Sequence, residues 1–244
     1  MLPEEQELAR LTAQQTELEE QLASAELALE SATGETERFK WRYNRTVGAL
    51  YAELDELEAK SAHTQLKQAP NDPELRAKAK ASQQRAKKSA EEAGLATLQS
   101  KPAPEITPAL KQSYRRAVKL LHPDLALTER ERQRRTTLMA QVNLAYKRGD
   151  LNAIERIVKD YGEDPEAIVG EDVASLIVKT IRLIAQLRRR IEEVGQQHEF
   201  LKTTDIYLLK QTIEEQEANG ADPLGDLARD LKRQISNEKT RACT

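Results

Sequence analysis

Leu8, Leu11, Gln15, Leu18, Leu22, Ala25 and Leu29 recur at alternating steps of three and four. On an α-helix that spacing draws one apolar line, a heptad seam. A continuous apolar stripe needs a cover, so the chain must supply a second helix to this one or borrow it from another copy. The seam runs on through Ala32, Thr36, Phe39, Tyr43, Val47, Leu50, Leu54 and Leu57, and two successive steps of four around Tyr43 shift its phase. Pro3 is tolerated in a first turn. Gly34 is the weak point, where fraying or a break is expected, because a mid-helix glycine costs about 1 kcal/mol against alanine. The pattern predicts one long helix reaching about residue 66. A second seam, Val173, Ile177, Ile181, Ile184, Leu187, Ile191 and Val194, lies far down the chain. Both seams are long and flank a central segment, which favours an intramolecular hairpin over a coiled-coil dimer.

Composition narrows the class further. Charged residues make up 32% and aromatics 4% of 244 residues, with long Ala/Glu/Gln/Leu/Lys/Arg stretches, so elongated helices are expected rather than one compact globule. No apolar run approaches the roughly 18 residues of a membrane span. The acidic start Met1-Leu-Pro-Glu-Glu-Gln-Glu-Leu8 is no signal peptide, and the single cysteine, Cys243, permits no internal disulfide. A cytoplasmic setting fits both. Charge is divided: residues 1–60 hold 6 basic and 14 acidic residues, residues 61–148 hold 18 and 8, and residues 149–244 hold 14 and 19. A basic centre between acidic arms implies an acidic partner for the middle, or attraction between the parts.

Pro70-Asn-Asp-Pro73 is a turn. Residues 74–94 read as a basic, weakly anchored helix with a solvated face; with no interleaved aromatics and no recognised motif, nucleic acid is not the expected partner. Ser100-Lys-Pro-Ala-Pro104 is a linker. Beyond the centre, Gly149 breaks the chain, Asp150 caps a helix from Leu151 to about Tyr161, Gly162 ends it and Asp164-Pro165 restarts the chain. Ile206, Leu209 and Ile213 continue the second seam or begin a new helix after Thr203-Thr204. Asn219-Gly-Ala-Asp-Pro223 is a turn before a last helix to about Lys239.

The central segment carries the functional signal. Thr107-Pro108 starts a helix with a capping hydroxyl and proline at its first position. Leu110, Tyr114, Ala117, Val118 and Leu121 share its apolar face, whereas Lys111, Arg115 and Lys119 lie four apart with Arg116 beside them, as a basic stripe. His122-Pro123-Asp124 ends this helix. Thr128 and Glu131 fit a capping box for the next, whose Leu138, Val142, Ala145 and Tyr146 can pack back on the first. A turn that only connects two helices needs neither histidine nor aspartate.

Residues 105–148 resemble the J-domain family: an aromatic and basic residues (Tyr114, Arg115, Arg116, Ala117), the His122-Pro123-Asp124 triplet, and the later pair Ala145-Tyr146. The resemblance implies a co-chaperone that docks its basic helix on an acidic surface of a DnaK-type ATPase chaperone and stimulates its ATPase. The chaperone-binding residues it implies are His122 and Asp124 through polar contacts, Pro123 by fixing the turn, and Lys111, Arg115, Arg116 and Lys119. The family's short first helix, with a Tyr-x-x-Leu-Gly-like signature, has no match upstream of Pro104; Leu95 to Leu98 is the nearest candidate, and residues 74–94 are a possible replacement as packing partner. Leu125 follows the triplet where many relatives carry lysine. There is no glycine/phenylalanine-rich segment and no Cys-x-x-Cys repeat.

The expected protein is all-α and elongated: an N-terminal coiled-coil helix (1–69), a basic helix and linker (70–104), a J-like domain (105–161) and a C-terminal helical region (162–244) that, with the other flanks, selects an unknown client, a location or an assembly. Neither a catalytic role nor a cofactor or metal is expected. His122 and Asp124 have no nucleophile motif or phosphate loop beside them, and His63 and His198 lack ligand spacing. Trp41, off the seam, is a candidate contact with a client. The alternative is a coiled-coil adaptor or scaffold whose J-like hairpin is structural only.

Overall fold

The computed structural model describes residues 2–98, 106–126, 128–162 and 173–242. The expected linker at 100–104, the Asp164-Pro165 restart and Cys243 lie outside the described residues. Among the described residues all regular structure is helical and there is no strand. A continuous 66-residue helical run opens the chain. It comprises α1 (Pro3–Tyr43), a π-helical stretch (Asn44–Gly48) and α2 (Ala49–Gln68). Then come α3 (Pro73–Leu98), α4 (Pro108–Leu121), a 3-10 turn (Pro123–Leu125), α5 (Glu129–Arg148), α6 (Leu151–Gly162), α7 (Val173–Lys202), α8 (Asp205–Ala218) and α9 (Pro223–Ala242). None of the described helices is long and apolar enough to cross a membrane.

Gly34 does not break the first helix; α1 passes straight through it. The irregularity falls where the seam changes phase. The wider turn of the π stretch absorbs two successive steps of four and keeps Val47 fully buried in line with the residues before it. Thr203-Thr204 closes α7, so Ile206, Leu209 and Ile213 belong to a separate helix, α8. In α7 the buried line is Thr180, Leu183, Ile184, Leu187 and Val194; Ile181, expected on the seam, is 50% exposed.

The chain forms two compact units: residues 1–35 with 103–204, and residues 36–102 with 205–244. In the second, α3 packs against α2 and the π stretch, and α9 against the same pair. Val47, Leu54, Leu231 and Ile235 form one core there, and Phe39, Ile213 and Leu224 another. Residues 74–94 form the expected helix with a largely solvated face, Ser82 being their one buried residue, and that helix packs along α2. The contacts that tie it to α2 are polar: buried Asp55 accepts from Arg85 Nε at 2.9 Å and from the Ser89 hydroxyl. Asp72 closes the preceding turn by accepting the Glu74 amide at 2.8 Å.

In the first unit, α1 is covered on two sides. Leu11, Leu18 and Leu22 pack with Leu183, Ile184, Leu187 and Val194 of α7, so the two seams meet within one chain. Ala23 and Leu27, off the seam, join the core of α4, α5 and α6. The partner of the α4–α5 hairpin is therefore α1, not residues 74–94, which pack on α2.

Candidate functional site

The hairpin is built from signals its own residues carry. Thr107 accepts the Leu110 amide at 3.2 Å and Pro108 opens α4, so the first turn loses no donor. Leu110, Tyr114, Ala117, Val118 and Leu121 are all buried. Thr128 accepts the Glu131 amide at 3.2 Å, but the reciprocal half of the expected capping box is diverted: Glu131 accepts from Arg135 and from the Tyr161 hydroxyl of α6. Burial raises the Glu131 carboxyl, and these donors, with the charges of Arg135 and Arg134, outweigh it and hold the group below the usual carboxylate range. Gly149 ends α5 at φ 72°, a left-handed cap that returns its amide to Ala145 and Tyr146. Asp150 then caps α6 by accepting from Ala153 at 3.0 Å.

Two tyrosines lock the hairpin. Their rings, Tyr114 and Tyr146, stand 4.5 Å apart and tilted. The Tyr114 hydroxyl donates to Asn143 at 3.0 Å, and burial pushes it well above the usual phenol range. Tyr146 shares a hydrogen bond with Ser31 of α1 at 2.8 Å. The matched pair Ala145-Tyr146 thus ties α5 both to α4 and to α1.

At the turn, Pro123 starts the 3-10 segment and the His122 ring caps it, Nδ1 accepting the Asp124 amide at 3.2 Å. With Nδ1 an acceptor, Nε2 carries hydrogen and faces Glu26 Oε1 of α1 at 3.3 Å. The same oxygen accepts from Arg190 of α7 through Nε at 3.0 Å and a terminal nitrogen at 2.8 Å. His122 is only 5% exposed and Glu26 7%. Burial raises the Glu26 carboxyl, but His122 and Arg190 overcome that and hold it below the usual carboxylate range. Burial lowers the Arg190 guanidinium, and Glu26 more than reverses this. The histidine therefore has a structural role that a connecting turn does not require.

The structure brings the triplet residues together at one turn, with Pro123 and Asp124 partly exposed. Lys111, Arg115 and Arg116 are exposed along α4, and Lys119, also on that stripe, ion-pairs with Glu20 of α1. Beside them, between α4 and α6, Arg116, Lys119, Leu120, Val158 and Lys159 line a groove of ≈ 560 Å³. Sequence reading missed Glu26, Arg190 and Glu20. The only hint is a glutamate among apolar neighbours, Leu22, Ala23, Leu27 and Leu29.

Elsewhere, Trp41 is partly buried under the Arg45 guanidinium, 4.9 Å from its ring centre. His63 is exposed and His198 half-buried, both on helices. Among the described residues no three His, Cys, Asp or Glu side chains are grouped to hold a metal ion. No family model matches the chain, and neither a curated protein nor a solved structure matches it.

Proposed function

We propose that the protein is a J-domain co-chaperone that binds a DnaK-type ATPase chaperone through α4 and the His122-Pro123-Asp124 turn and stimulates its ATP hydrolysis. One observation carries this reading: an exposed basic row, Lys111, Arg115 and Arg116, leads along α4 to a proline-fixed turn bearing the triplet, in a hairpin whose Tyr114 and Ala145-Tyr146 form its core. Several like charges on one helix face speed encounter with an acidic surface, and salt screens them. The flanking helices take the client or set location in this reading.

A second reading has an observation of its own. His122 is buried against Glu26 and Arg190, as a purely structural hairpin in an adaptor or scaffold would have it. Single-turnover ATP hydrolysis by a DnaK-type chaperone separates the two. The protein should accelerate hydrolysis, and Arg115→Glu with Arg116→Glu should remove the effect without lowering the melting temperature, because both side chains are exposed. No acceleration by the wild-type chain, across chaperones of the same cell, favours the scaffold.

A further inference from the structure

We infer that this chain holds its own docking turn closed: acidic residues of α1, with α7 behind them, occupy the positions that an acidic partner surface would take. The inference rests on the co-chaperone reading above and adds regulation to it.

Three separate contacts converge on this. His122 points its Nε2 into α1 at Glu26, and Arg190 of α7 donates to the same carboxylate oxygen. Lys119, the member of the basic row nearest the turn, is taken by Glu20 of α1. Leu125, an apolar residue just after the triplet, packs against the apolar seam where α1 meets α7, and Ala126 beside it is 5% exposed. A lysine at position 125 would bring a charge to the edge of that seam and weaken this apolar contact. The covering chemistry is the right one: residues 1–35, which share a unit with the turn, carry nine acidic side chains against one basic.

The closed turn implies that the element that moves on opening is the turn, not α1. Ala23 and Leu27 hold α1 in the core with α4 and α5, and Ser31 holds Tyr146. Opening therefore needs only the turn to leave Glu26 and to withdraw Leu125, a local event rather than an unfolding one. Lys111, Arg115 and Arg116 remain exposed in the closed state and can make the first contact. The partner then competes with Glu20 and Glu26 for Lys119 and His122. Its apparent affinity is reduced by the fraction of molecules in which the turn is open.

The test uses the full chain and two independent variants: Glu20→Gln with Glu26→Gln, which removes the competing charges at nearly constant shape, and Leu125→Lys, which removes the apolar anchor. Circular dichroism first establishes that each remains helical. In the chaperone ATPase assay, both should reach half-maximal stimulation at a concentration lower by about tenfold, a shift that follows if the turn is open in a tenth of wild-type molecules. Unchanged or higher half-maximal concentrations, with stimulation by the wild type intact, overturn the closed turn and leave the co-chaperone reading standing. Modification by diethyl pyrocarbonate, read by mass spectrometry with exposed His63 as internal reference, gives a readout that needs no chaperone. His122 should be protected in the wild type and approach the reactivity of His63 in both variants. Equal protection in all three proteins overturns the inference whatever the ATPase does. Absent stimulation combined with released His122 overturns the co-chaperone reading and the competition, while keeping the closed turn.

Discussion

Glu26 is the residue on which three helical segments depend. Its Oε1 receives His122 from the turn and two nitrogens of Arg190 from α7, at 7% exposure. A carboxylate so placed is stabilising only with its donors, because removing one partner strands the others in a poorly hydrated site. Glu26→Gln should therefore cost about 1–3 kcal/mol at neutral pH, measured by urea unfolding. The pH dependence has a definite sign. The folded-state carboxyl lies below its ordinary value, so its contribution is complete above the unfolded value, about 4.3. It is lost as pH falls through the lower folded value. The stability gap between wild type and Glu26→Gln should hold from pH 7 to about 5 and close below about pH 4. A gap that persists unchanged below about pH 3 would refute the lowered carboxyl. Gly149 is a second single-residue test. At φ 72° a Cβ is strained, so Gly149→Ala should lower stability by about 1–2 kcal/mol in the same assay.

At the scale of elements, what was legible depended on whether the signal was local. The ends and buried face of α4 follow from Thr107-Pro108 and from Leu110, Tyr114, Ala117, Val118 and Leu121, all within one helix length, and the structure reproduces them residue by residue. The π stretch was visible as a phase shift, although not as a π-helix. Where a second element decides, periodicity fails. Ala23 and Leu27 give α1 a second buried face only because α4 and α5 pack there, and Ile181 is exposed because α7 meets α1 through Leu183, Ile184 and Leu187. Gly34 illustrates the same limit: a propensity cost of about 1 kcal/mol is small beside the packing of Ala32, Thr36 and Phe39 around it. Within the site, the triplet was legible and its cover was not. Glu26 lies 96 residues from His122 and 164 from Arg190, and nothing local in either stretch encodes the meeting.

For the whole chain, the question the two seams raised is who covers whom. Leu11, Leu18 and Leu22 find Leu183, Ile184, Leu187 and Val194 in the same chain, and Leu22 is 1% exposed. A seam satisfied in this way leaves no stripe of α1 to recruit a second copy through Leu18 and Leu22. Light scattering should give the monomer mass, 27.6 kDa. The distinguishing measurement is the response to charge in the seam. If α7 is the cover, Leu18→Lys with Leu22→Lys strips two core residues from a single folded chain. The loss should be several kcal/mol, since each buried leucine truncated to alanine already costs about 2–5 kcal/mol and an unpaired ammonium adds to it. The melting temperature should drop by the same amount at every protein concentration, and the mass should stay that of one chain. If two copies shared the seam, the same variant would dissociate a dimer and the wild-type melting temperature would climb with concentration. A wild-type mass of two chains that falls to one in the variant, with helicity largely kept, would refute the intramolecular pairing of α1 with α7.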